Sequence, residues 1–233
     1  MATKDIVVIG ASAGGMEVLQ KLVAPLPRDL PASLFVVWHL SPGTRSILPS
    51  VLAKAGKLPA SMPADGDRIE RGRIYVAPND HHMLLESGYI RVARGPKENR
   101  FRPAIDPLFR SAAYVYGTRV IGVVLTGALD DGTAGLWTIK LRGGTTIVQD
   151  PAEALIRSMP LSALDNVAVD YRVPVAEMGA LLTRIVREPA PAPVNVAAEE
   201  DEKTQHEIRI AKEREALEED IIRFGDLSAF TCP

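Results

Sequence analysis

The chain has 233 residues, 46% of them hydrophobic and 24% charged, with a formal net charge of −2 and a mean hydropathy of +0.05. That is material for one large α/β domain, or a domain with an appendage, and the near balance of charge excludes blanket attraction to nucleic acid or anionic lipid. No apolar run reaches membrane-spanning length, no signal-peptide core precedes the first strand, and the single Cys232 excludes an intrachain disulfide or a multi-cysteine metal site within this chain. A cytoplasmic protein is expected, with no cofactor, no metal, no nucleic acid partner and no membrane insertion.

The chain opens with Ile6-Val-Val-Ile9 running into Gly10-Ala-Ser12-Ala-Gly14-Gly15, after which Met16, Leu19, Leu22 and Val23 recur at helical spacing. This predicts a strand, a tight turn carrying Ser12, and a helix. Glycines around the hydroxyl keep side chains away from it and leave the first N–H groups of the helix open. An oxygen held there can meet a substrate, and an anion formed beside it faces the positive end of a helix dipole. Two other readings use the same parts. A phosphate cradle is one, although Ser12 stands where the dinucleotide fingerprint wants its second glycine; a serine that merely caps the helix is the other.

Pro25, Pro27 and Pro31 end the first helix, and Leu34-Phe-Val-Val-Trp38 reads as a second buried strand that stops at His39. A helix is predicted from Ser46 to Ala55. Next come three short strands, Arg73–Ala77, His82–Glu86 and Tyr89–Ala93, at least the last two forming a hairpin, in an antiparallel annex to the main sheet. The adjacent His81 and His82 face opposite sides of a strand and cannot readily share a metal. Arg94, Lys97, Arg100 and Arg102 make a basic link that is either solvated or turned towards an acidic protein surface.

A helix from Ile105 to Tyr116 leads to Val120–Thr126, the most hydrophobic strand and therefore an interior one. It empties into Gly127-Ala128-Leu-Asp130-Asp131-Gly132, followed by a helix over Thr133–Leu141, a strand over Thr145–Gln149, a short helix after Asp150-Pro151, an edge strand over Val167–Asp170 and a helix over Val175–Val186. The alternation predicts a doubly wound, mostly parallel sheet with helices on both faces. Residues 1–187 form the expected domain, 188–204 a proline-rich and acidic linker, 205–225 a charged helix and 226–233 a tail. In that helix Ile210, Leu217, Ile221 and Phe224 fall near heptad spacing with Arg214 at the remaining seam position, which suits either a solvated helix or one docking to a partner or a second copy.

Three strand ends now carry Ser12, His39 and the pair Asp130-Asp131. A weak alcohol nucleophile requires these types: an oxygen to attack, an imidazole to take its proton, and a carboxylate to hold the imidazole. Each has a plainer job available, a core histidine on a backbone carbonyl for His39 and a helix cap for either aspartate. Their coincidence at one edge of a parallel sheet favours a hydrolase over a nucleotide binder.

Several blocks in order also resemble the CheB-type protein-glutamate methylesterase domain over roughly Lys4 to Val186. They are Gly10-Ala-Ser12-Ala-Gly14-Gly15, Val-Val-Trp-His39, Tyr75-Val-Ala-Pro78 with His82, Arg102-Pro-Ala-Ile-Asp106-Pro-Leu-Phe-Arg-Ser-Ala-Ala113, Leu125-Thr-Gly127 through Asp131-Gly132, and Gln149-Asp-Pro with Ser158-Met-Pro160. The resemblance implies a doubly wound α/β domain that removes methyl esters from glutamates of chemoreceptors and deamidates receptor glutamines. It implies Ser12 as nucleophile, His39 as general base and Asp131, before Gly132, as the orienting carboxylate. Backbone N–H groups of Ala13 and, in the following loop, Ala128 are the expected oxyanion donors. The chain departs from the family pattern at Ala128-Leu129-Asp130, where Met-Gly-Asn is common, and at Ala104, where serine is usual. With the first strand so near Met1, control through an attached N-terminal receiver domain is not expected; the C-terminal helix is the candidate for self-association or for a regulatory partner.

Overall fold

A computed structural model describes residues 2–39 and 46–213. Its core is a seven-stranded, wholly parallel sheet in the order β3-β4-β2-β1-β7-β8-β9. The strands are β1 (Ile6–Ala11), β2 (Ser33–Trp38), β3 (Ala60–Ser61), β4 (Ile74–Val76), β7 (Val120–Val124), β8 (Thr145–Gln149) and β9 (Tyr171–Val173), while β5 (His82–Glu86) and β6 (Tyr89–Ala93) form a separate antiparallel hairpin. The helices are α1 (Gly15–Val23), α2 (Leu48–Ala55), α3 (Ile105–Tyr116), α4 (Thr133–Leu141), α5 (Ser158–Asn166), α6 (Val175–Ile185) and α7 (Ala198–Lys212).

Helices on both faces explain why the strands read as unbroken apolar runs. Val7, Ile9, Leu34, Val36, Ile121, Val123 and Ile147 pack on the side of α1, α2 and α6. Their alternating neighbours Ile6, Val8, Phe35, Val37, Val120, Val124 and Val148 pack on the side of α3, α4, α5 and the hairpin. The chain winds outwards from β1 to β2 and then crosses to β7 on the other flank. Strand order therefore reverses beside β1, and in open parallel sheets the crevice at the carboxyl ends of such strands is where ligands bind.

Three expectations need correction. The strand expected over Arg73–Ala77 is no part of an antiparallel annex: β4 joins the main sheet, parallel to β2. The edge strand lies at Tyr171–Val173 and not at Val167–Asp170, because Val167 ends α5 and packs into the core beneath it. The C-terminal helix begins at Ala198, before the expected 205. The acidic run Glu199, Glu200 and Asp201 forms its first turn, where negative side chains suit the helix dipole.

The proline-rich stretch lies along the domain: Ala190 N donates to Ala2 O (2.9 Å) and Thr118 Oγ1 to Pro191 O (2.8 Å). α7 then docks on its own domain, Ile208 and Ala211 packing against Leu84, Ala93 and Tyr114. Asp201 pairs with Arg142 (2.7 Å), Glu207 with Arg110 (3.2 Å) and Lys212 with Glu86 (2.6 Å). The buried positions are thus Thr204, His206, Ile208 and Ala211, while Ile210 of the expected seam is half-exposed. Arg214, Leu217, Ile221, Phe224 and the tail lie outside the described residues.

Candidate active site

The parallel register pairs Ala11 with Trp38, and the His39 N–H continues it by donating to Ala11 O (3.1 Å). Ser12 and His39 are therefore neighbours on adjacent strand ends. Ala11 and Trp38 belong to the α1 face, so alternation turns the next pair towards the side of α3. The Ser12 N–H donates to Thr126 O (3.0 Å), its carbonyl accepts from Trp38 Nε1 (2.9 Å), and Thr126 Oγ1 donates to Ala13 O (3.0 Å). These bonds tie the serine turn to the ends of β2 and β7.

Gly127 lies directly behind Ser12. A Cβ on it would come 2.8 Å from Ser12 Cβ and would collide with the Met159 sulfur, so a side chain there would displace one or the other. Gly14 takes a left-handed φ of 78° as the N-cap of α1, and no side-chain oxygen caps that helix. Ser12 is not the cap residue, and it is 8% exposed. Ala13 and Ala128 are both exposed at this rim.

Of the two adjacent aspartates, Asp131 meets His39, with Nε2 2.7 Å from Oδ2 and both side chains buried. Asp131 is a hub. Oδ2 also accepts from Ile105 N (2.8 Å), and Oδ1 accepts from Asn99 Nδ2 (2.8 Å) and Asp106 N (3.2 Å). It caps a helix after all, but the helix is α3, far along the chain, and not α4, whose N-cap is Gly132. Burial works against the Asp131 charge. The bonds from His39, Ile105 N and Asn99 outweigh it and hold the carboxyl below its usual range. Asp130 is half-exposed.

Because an ionised carboxylate can only accept, His39 Nε2 must carry the proton. Nδ1 is buried and without a hydrogen-bond partner among the described residues, and in the neutral imidazole it is the nitrogen with the free lone pair. The imidazole stacks on Phe101, with 3.7 Å between centroids and 7° between planes. Nδ1 makes no hydrogen bond to Ser12, whose position is adjacent to His39 by strand register. An oriented neutral imidazole next to a serine position is an arrangement that can remove a hydroxyl proton once the two side chains meet.

Three side chains at this site had no role in the sequence reading. Asn99 and Phe101 come from the irregular link before α3, and Asp106 from the first turn of α3; only the resemblance marked Asp106, and nothing periodic marked the other two. Of the two histidines weighed as a pair, His82 is buried away from any metal geometry, with Nε2 donating to Pro96 O (2.7 Å) and Nδ1 accepting from Ala104 N (3.2 Å). In the basic link, Arg94 and Arg102 both pair with Asp80 (2.7 Å each). Among the described residues, no group of three or more His, Cys, Asp and Glu is disposed to hold a metal ion, and no helix is long and apolar enough to cross a membrane.

Residues 7–182 match the family model for the CheB methylesterase domain. The chain belongs to the CheB methylesterase family. Its similarity to the Thermotoga maritima CheB methylesterase catalytic domain covers 80% of this chain and all of that one, at 33% identity and a TM-score of 0.76. Two curated relatives are each named a protein-glutamate methylesterase/protein-glutamine glutaminase. That of Anaeromyxobacter dehalogenans is 39% identical over 186 residues, covering 80% of this chain and 54% of the relative. That of Pyrococcus abyssi is 39% identical over 184 residues, covering 77% and 50%. This CheB-family chain spans about half the length of those relatives. The match takes in β1 through most of α6, so every side chain at the serine turn falls inside it, whereas α7 and the segment before it fall outside.

Proposed function

We propose that the chain is a serine hydrolase that removes methyl esters from glutamate side chains of chemoreceptors, in the cytoplasm, and deamidates receptor glutamines. The observation that carries this reading is the His39–Asp131 hydrogen bond of 2.7 Å, with His39 Nδ1 left bare beside the register position of Ser12. Ser12 Oγ attacks the γ-carbonyl carbon while His39 Nδ1 takes its proton. The four donors to Asp131 keep it anionic, so it fixes the imidazole's tautomer and stabilises the imidazolium that forms.

The carbonyl oxygen gains charge as the tetrahedral intermediate forms. The Ala13 N–H, after the nucleophile and at the open end of α1, is the first donor to it, and Ala128 in the β7–α4 loop supplies the second. When the intermediate collapses, His39 returns the proton to the leaving methoxide and methanol departs. Water, deprotonated by the same imidazole, then cleaves the acyl-enzyme to restore Ser12 and free glutamate. A glutamine substrate follows the same course and releases ammonia.

The names of the relatives support this substrate class. The competing cap reading of Ser12 is disfavoured by a helix whose N-cap is Gly14. The test is methanol release from methylated receptor membranes. Ser12→Ala is expected to lower it by about 10⁶-fold with the melting temperature unchanged; undiminished release removes Ser12 from the nucleophile's role.

A further inference from the structure

We propose that Asn99 is a positioning residue for the His39–Asp131 pair, and that α7 braces the turn on which Asn99 sits. The inference rests on the esterase reading above. Asn99 is buried, and its Nδ2 donates to two carboxylates at once, Asp131 Oδ1 and Asp106 Oδ2, each at 2.8 Å. With Oδ1 engaged by Asn99 and by Asp106 N, the other oxygen of Asp131 is the one turned to His39 Nε2. Asn99 therefore sets the rotation of the carboxylate, and through it the ring that carries the bare nitrogen. Asp106 supports the arrangement from the far side. Its own burial, then the charge of Asp131, push its carboxyl well above the ordinary range, so the two carboxyls do not compete as equal anions.

The turn itself is strained. Asn99 and Arg100 both take left-handed φ angles, 50° and 71°, a region that side-chain-bearing residues seldom occupy. Glu98 and Phe101 close the turn with reciprocal backbone hydrogen bonds (3.1 and 2.9 Å), which places the Phe101 ring on His39. Such conformations persist where the surroundings over-determine them. Here the surroundings come from α7. Buried Arg110 joins Glu98 on the turn (2.6 Å) to Glu207 on α7 (3.2 Å), and those two carboxylates keep it charged despite its burial. Gly95, just upstream, packs so directly on the Ala211 carbonyl that no side chain would fit. A continuous set of contacts thus runs from α7 through Arg110, Glu98 and Asn99 to Asp131 and His39.

The experiment uses the full chain labelled with ¹⁵N-histidine, reading the His39 tautomer by NMR alongside methanol release. Asn99→Gly removes the amide while keeping a backbone that accepts the left-handed turn. The wild type should show a single tautomer protonated at Nε2. Asn99→Gly should show a tautomer mixture and a kcat lowered about 10- to 100-fold, the size of effect known for the outer partners that orient metal-bound histidines, with KM unchanged. Glu207→Gln, remote from the reacting atoms, should move both readouts the same way by less. A wild-type tautomer in Asn99→Gly, or an unchanged kcat, overturns the proposal. If Asn99→Gly does not fold, an unchanged tautomer and kcat in Glu207→Gln overturn it instead. Should the wild-type chain release no methanol, the esterase reading fails, while the tautomer comparison still decides the role of Asn99.

Discussion

The carboxyl ends of β1 and β2 and the link between β6 and α3 meet at the same few side chains, but they are held there differently. Ser12 and His39 are set by parallel register: once Ala11 pairs with Trp38, the next two residues are neighbours pointing one way. Asn99 and Phe101 owe nothing to register. They are held by a strained turn, by an ion pair with Arg110, and by contacts to α7 more than a hundred residues downstream. On the proposed reading, the chemistry that the first region offers is oriented by the second, whose contacts reach the His39 ring through Asp131.

The largest effect that separates the two regions should come from Asp131, where they join. Asp131→Asn offers one carbonyl oxygen where the carboxylate gave two, so its NH₂ must face donors. Loss of the correct imidazole tautomer should lower kcat by about 10⁴-fold. Each buried N–H of α3 left without an acceptor should cost about 1–3 kcal/mol, read by urea denaturation. A stable variant with near-normal kcat would mean that the strand ends suffice and that the link is mere packing.

A smaller effect tests the link alone. Burial holds His82 below its ordinary pKa of 6.5, so the folded chain binds this proton less readily than the unfolded chain. Its contribution is complete above 6.5 and is lost as the pH falls from there through the lowered folded value. The melting temperature should accordingly drop on acidification below that point, and His82→Gln should flatten this part of the profile. An identical drop in the variant would show that the hydrogen bonds to Pro96 and Ala104 do not anchor the link.

The same contrast explains what could be read from the residues. Buried parallel strands announce themselves as apolar runs, and a hydroxyl, an imidazole and a carboxylate at their ends follow from simple counting along the chain. Pairing partners do not: the three-residue β4 carries no mark that distinguishes the main sheet from an annex. The acidic residues Glu199 to Asp201 read as solvated linker because a helix's first turn and a charged loop share that composition. Asn99 was invisible because its role exists only through carboxylates from two other elements. Asp106 stands in the first turn of α3, an ordinary place for an acid, yet it accepts from Gly135 N (2.6 Å) and lies buried. Local pattern encodes the frame and the groups proposed to react; the groups proposed to orient them are encoded by distant contacts.

The central claim is that His39 activates Ser12, and the most direct measurement is covalent trapping by an organophosphorus fluoridate followed by peptide mass spectrometry. The account predicts one adduct, on Ser12, formed as its oxygen displaces fluoride, and its disappearance in His39→Ala. An unlabelled Ser12 in the wild type, or labelling that persists without His39, would contradict it.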